Sequence, residues 1–194
     1  MWGLMTPDMS TTARPDTLQR RAFSAGLLAL GATPPLAAWA QTAPPSPAEM
    51  EARAGPFPKP GTQLILPRLS WLGGGVFEGG ATLARPTVVY WWASTCPFCA
   101  QQSPEMDKLW RAHAQQLGFV GLSVDRTPQA AQAYLARKGY TFPSAWVSAE
   151  VFRQLPKPKG LPITLVLGRD SRVLQAEKGQ LFPEDVAQLV RHAG

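Results

Sequence analysis

Cysteine and histidine are both scarce, at two residues each in 194. A structural zinc site wants four such ligands. His113 and His192 lie far apart in the chain and there is no second cysteine pair, so neither a metal nor another cofactor is expected. Charge is thin as well, 16% of residues, with 19 basic against 13 acidic. The densest basic group, Lys157 and Lys159 with Arg153 nearby, has no interleaved aromatic rings on which bases would stack. It reads as a solvated face, and no nucleic-acid partner is expected. Long apolar runs are missing too: the one candidate, residues 25–32, is soon followed by Pro34-Pro35 and is too short to span a bilayer comfortably. No internal repeat is evident.

What the chain does have begins with a leader. Arg20-Arg21-Ala22-Phe23 is a basic region, residues 25–32 are apolar, and Ala38-Trp39-Ala40 is a small-x-small cleavage site before Gln41, the order of an export signal. The paired arginines resemble a twin-arginine signal, with Gln19 where Ser or Thr is usual. Removing residues 1–40 takes away three Arg and two Asp, leaving 16 basic and 11 acidic residues, a net charge of +5. The mature chain is expected in the periplasm as a monomer; an uncleaved membrane anchor is the other reading of the leader.

Both cysteines fall in one stretch, Cys96-Pro97-Phe98-Cys99. The preceding residues 87–93 are β-branched and aromatic, as a fully buried strand should be. After Pro97, Met106, Leu109, Trp110, His113 and Leu117 are spaced for one face of a helix. The pair therefore sits where a buried strand turns into a helix. Cys96 falls at the helix N-terminus, where unpaired N–H groups and the helix dipole favour an anion such as a thiolate. The spacing lets a disulfide close across the first helical turn. So small a loop constrains the unfolded chain very little, which makes exchange chemistry a better reason for the pair than stapling.

Along the chain, residues 41–60 are rich in Pro and Ala and read as a linker or an extended arm rather than core, with the domain spanning 61–194. Residues 62–66 and 69–72 read as short strands, Gly73-Gly74-Gly75 as a turn, and Val76-Phe77 as the return of a hairpin. Next come a strand at 119–125 ending in Asp125, a helix opened by Pro128 and stopped by Gly139, an extended segment at 142–147, and a short helix at 149–155. A hairpin of 163–167 and 173–176 turns at residues 168–171, and a helix follows Pro183 with Val186, Leu189 and Val190 on one face. This order predicts an α/β domain, a central mixed sheet flanked by helices, with an N-terminal strand or hairpin extension.

The same order, with the cysteines at the first long strand-to-helix junction, resembles the thioredoxin fold over residues 62–194. Trp92-Ala93-Ser94-Thr95-Cys96-Pro97-Phe98-Cys99 looks like the W-A-S-x-C-x-x-C block of the TlpA-like periplasmic thiol-disulfide reductases. Ser103-Pro104-Glu105-Met106 continues it with a proline near that family's helix kink. Gly160-Leu161-Pro162-Ile163-Thr164 is similar to the loop whose cis-proline faces the dithiol. The resemblance implies an oxidoreductase with a redox-active disulfide of Cys96 and Cys99. It also implies substrate contacts from Trp92, Pro97, Phe98, Leu161 and Pro162, the backbone of Leu161 being presented to an extended client. Implied partners are a disulfide-containing exported protein, an apocytochrome c awaiting maturation among them, and a membrane thiol transporter as electron donor.

The chain departs from the pattern at two points. Gln102 stands where many TlpA-like reductases have a proton-relaying Glu, and Tyr90 where thioredoxins have a buried Asp in the strand. Glu78, before the strand, is either a carboxylate folded back over the site or an exposed turn residue. The strongly oxidising periplasmic disulfide donor carries a His between its cysteines, and Phe98 cannot act as one, so a reductant is expected. The rival readings are a disulfide oxidase or isomerase, a copper-delivery protein, and a non-catalytic module that binds clients.

Overall fold

The computed structural model describes residues 45–193. Arg20, Arg21, Ala38 and Ala40, with the rest of the expected leader, lie outside them. Among the described residues no helix is long and apolar enough to cross a membrane.

The centre is β3 (Thr87–Trp92), whose TVVYWW sequence is buried at every position. It pairs in parallel with β4 (Gly118–Ser123) and antiparallel with β6 (Ile163–Leu167). β5 (Ser144–Trp146) adds in parallel beyond β4, and β7 (Val173–Lys178) antiparallel beyond β6. The five-stranded order is thus β5-β4-β3-β6-β7. Side chains alternate across a strand, so β3 builds both faces of the sheet at once. Val88, Tyr90 and Trp92 enter one core with Met106, Phe119, Tyr134, Phe142 and Val186. Val89 and Trp91 enter the other with Met50, Leu122, Phe152 and Leu165.

The helices cover these faces. α2 (Pro97–His113) runs unbroken through Pro104 and stops short of Leu117. α3 (Pro128–Lys138) opens on Thr127, whose hydroxyl accepts from the Ala130 N–H, and closes on Gly139 at φ 68°, where a Cβ would be strained. α4 (Ala149–Gln154) is capped by Ser148. α5 (Pro183–Gln188) passes into a 3₁₀ turn, Leu189–His192, which buries Leu189 and leaves Val190 half-buried. The predicted hairpin is present as β1 (Leu69–Ser70) and β2 (Val76–Phe77). Residues 62–66 differ from expectation, because Gln63 and Leu66 make only single bridges, to Arg172 and Gly80.

Two expectations from the sequence are corrected. Residues 41–60 are not a linker throughout: Pro47–Ala52 form helix α1, closed by a reciprocal Ser46–Glu49 capping box, with Met50 in the core. The Pro-rich composition masked it, since Pro47 at the first helical turn starts a helix rather than breaking one. Nor is the basic group around Lys157 a solvated face. Lys159 and Arg153 are exposed, but Lys157 is buried and pairs with Glu51 of α1 at 2.9 Å. A contact between residues 106 positions apart leaves no local pattern in the sequence.

Candidate active site

Cys96 is the N-cap of the 17-residue helix α2, with extended backbone at φ −84° and ψ 116°. Its Sγ accepts the backbone N–H of Cys99 at 3.1 Å. A sulfur therefore takes the place that a Ser or Asp oxygen usually fills at a helix start. No acidic residue stands in the first turn to oppose negative charge there. Cys96 and Cys99 form a disulfide across that turn, their Cα atoms 5.2 Å apart. Their environments differ: Cys99 is 1% exposed, whereas Cys96 is half-buried at the surface.

The strand register brings in the second loop. Trp91 of β3 faces Ile163 of β6, so Leu161 and Pro162, just before β6, lie at the sheet end from which residues 93–96 emerge. The Leu161–Pro162 peptide is cis. Leu161 and Cys96, both half-buried, each pack against both cores, which places them at the seam between the two faces. Pro97 is exposed, and Phe98 keeps 55% of its surface in water, a large apolar ring left open beside the disulfide. Trp92 does not join this surface. It is fully buried, packed against the rings of Tyr134 and Phe142, so its expected substrate contact is corrected to a core role. It is the last residue of β3 and packs against Tyr134 of α3.

Both departures from the family pattern have a structural meaning. Tyr90 spans from strand to helix, donating to the Cys99 carbonyl at 3.3 Å and sharing a 3.1 Å bond with the Ser103 hydroxyl. Burial pushes its phenol far above the ordinary range, the Ser103 bond only partly offsetting this, so it holds the helix start and does not serve as a base. Gln102 is completely buried; it donates to Thr164 Oγ1 at 2.9 Å and accepts the Leu181 N–H at 2.8 Å. Its amide ties α2 to the second residue beyond Pro162 and to the segment before α5. Glu78 pairs with Arg68, both largely exposed on the hairpin extension, which makes it a turn carboxylate rather than a group over the disulfide.

One supporting residue carried no role in the sequence. The buried Asp125 carboxylate accepts from the Ser94 N–H at 3.0 Å, the Ser94 hydroxyl at 2.7 Å and the Ser123 hydroxyl at 2.8 Å. Trp146 Nε1 donates to its carbonyl at 2.7 Å. Asp125 thus fixes the loop two residues before Cys96. The available signal was an acidic residue closing a buried strand at the sheet end where the cysteine loop begins.

A half-exposed cysteine capping a helix, a buried partner one turn in, and a cis-proline loop beside them define a thioredoxin fold that carries a two-cysteine disulfide site. The family model described as Redoxin matches residues 76–190, and the chain belongs to that family. Among solved structures, StoA from Bacillus subtilis is 16% identical, with a TM-score of 0.58 over 70% of this chain and 100% of that one. A thioredoxin-family thiol:disulfide interchange protein from Chlorobium tepidum is 21% identical, with a TM-score of 0.59 over 73% and 100%. These likenesses are of fold. The soluble secreted antigen MPT53 of Mycobacterium tuberculosis is 27% identical over 71 residues, 37% of this chain. That match spans only 40% of the length of the relative.

Proposed function

We propose that the protein is exported to the periplasm and reduces disulfides of exported proteins through Cys96 and Cys99. The observation that carries this is the Cys96 sulfur, half-exposed and met by the Cys99 N–H at the start of a long helix. In the reduced protein those same features favour a thiolate at Cys96. It attacks one sulfur of a client disulfide, and the other client sulfur leaves as a thiolate and takes a proton. Cys99 then loses its proton to water and attacks Cys96 Sγ. This releases the second client thiol and leaves the Cys96–Cys99 disulfide, so two electrons have passed to the client. Water serves as the proton acceptor because Tyr90 and Gln102 occupy the positions of the family's carboxylates.

Pro97, Phe98 and the half-buried Leu161 form the surface on which an extended client lies, with the buried cis-Pro162 behind them rather than on it. Apocytochrome c is one client of that kind, and a membrane thiol transporter is the donor that returns the pair to the dithiol. The mature chain should accelerate reduction of an exported disulfide protein by dithiothreitol. Rates no faster than dithiothreitol alone would overturn the reading. The export step rests on the leader, and mass spectrometry of periplasmic protein should find a chain beginning at Gln41; one still carrying Arg20 and Arg21 would indicate an anchored protein.

A further inference from the structure

Lys157 is 3% exposed in its side chain, and a buried ammonium is costly unless its three N–H donors are all met. They are: Nζ donates to Glu51 Oε2 at 2.9 Å, to the Pro158 carbonyl at 2.7 Å and to the Gly160 carbonyl at 2.9 Å. The second oxygen of Glu51 accepts the Gly160 N–H at 2.9 Å. Burial pushes the Glu51 carboxyl up, but the Lys157 ammonium and the Gly160 N–H outweigh it and hold the group below its ordinary range. A further strut joins the same segments, the Gly55 N–H donating to the Lys157 carbonyl at 3.0 Å.

Stability alone is a weak reason for such a pair, because desolvation offsets much of the attraction and apolar substitutes often serve as well. What distinguishes this one is where its bonds end. All the remaining partners are backbone groups of residues 158–160, directly before Leu161. Gly160 is at φ 92°, a conformation few residues adopt unaided. On the far side, the Pro162 carbonyl accepts the Gly179 N–H at 2.9 Å. The loop is thus fixed at both ends of the dipeptide that flanks the disulfide, and on one end the fixing group comes from the N-terminal helix α1.

We propose that Glu51 and Lys157 form a latch through which α1 positions the Leu161 backbone for an extended client, making them positioning residues for substrate recognition. This rests on the client surface proposed above. A substrate that needs only Cys96 should not sense the latch, whereas one that lies along Leu161 should. The test compares the mature wild-type chain with Glu51→Gln and Lys157→Met on two substrates: a synthetic extended peptide with an internal disulfide, and 5,5′-dithiobis(2-nitrobenzoate), a small aromatic disulfide.

Each variant should lose about tenfold in kcat/KM on the peptide, mainly through KM, with the small disulfide changed less than twofold. Glu51→Gln preserves volume and an acceptor for Gly160, so it carries the test if Lys157→Met does not fold. Peptide kinetics unchanged in a folded variant would overturn the latch. So would a parallel loss on both substrates, which marks a merely structural role. A wild-type chain with no preference for the peptide would overturn the client surface and the latch together, whereas preference retained in both variants overturns the latch alone.

Discussion

Replacing Cys96 by Ser is expected to reduce disulfide-reductase turnover to background, a loss of about a thousandfold or more, because a hydroxyl cannot form the mixed disulfide on which the exchange depends. Cys99→Ser should behave differently. Its attacking sulfur remains at the helix start, so the first exchange proceeds, but nothing releases the client. Cys99→Ser should therefore accumulate covalent adducts with exported proteins, visible on non-reducing gels and dissolved by dithiothreitol, and Cys96→Ser should accumulate few. The asymmetry follows from burial, since Cys99 is 1% exposed while Cys96 reaches solvent. Iodoacetamide should label Cys96 first in the reduced wild-type protein. Faster labelling of Cys99, or adducts confined to Cys96→Ser, would reverse the two roles.

The sequence made the centre of this molecule legible because its signals there are local. An unbroken β-branched and aromatic run of this length favours a buried strand, and β3 is buried at all six positions. Pro128 and Gly139 bracket α3 through backbone preferences that act within a few residues. The cysteine spacing and the helix start were readable in the same way, whereas the proline loop was expected only from its resemblance to a known family's loop. The misreadings concern groups whose surroundings are assembled from afar. Trp92 sits in the motif beside the cysteines, yet strand alternation sends it into the core with Tyr134 and Phe142. Lys157 looked solvated because lysine usually is, and its partner Glu51 belongs to a helix hidden by prolines.

Gln102 and Asp125 show the same limit from the other side. Gln102 was recognisable as a missing acid. Its role as a buried tie between α2, Thr164 and Leu181 depends on contacts 62 and 79 positions away. Asp125 was visible as the polar end of an apolar strand, and its grip on Ser94, 31 positions earlier, emerges only when β3 and β4 lie parallel in register. In both cases the residue type was informative about polarity, and topology decided which backbone it serves.

The reduction potential of the Cys96–Cys99 pair is expected near that of thioredoxin, about −270 mV, rather than near the strong oxidant's value of about −120 mV. A potential rises when the reduced thiolate is stabilised relative to the disulfide. Here the stabilising groups are those of the helix start, including the Cys99 N–H on Cys96 Sγ. The residues between the cysteines are Pro97 and Phe98, neither of them charged, and Phe98 is largely in water where it adds no field. The gap of about 150 mV corresponds to about five decades in the equilibrium constant for a two-electron couple, so the measurement separates reductant from oxidant cleanly. Phe98→His tests the cause: an imidazolium there would favour the thiolate and should raise the potential by about 30 mV or more, a tenfold change in equilibrium constant. Equilibration of the mature chain against glutathione buffers, read by thiol alkylation, gives both values. A wild-type potential above about −150 mV would make the protein a disulfide donor and sink the reductase reading, whatever Phe98→His does.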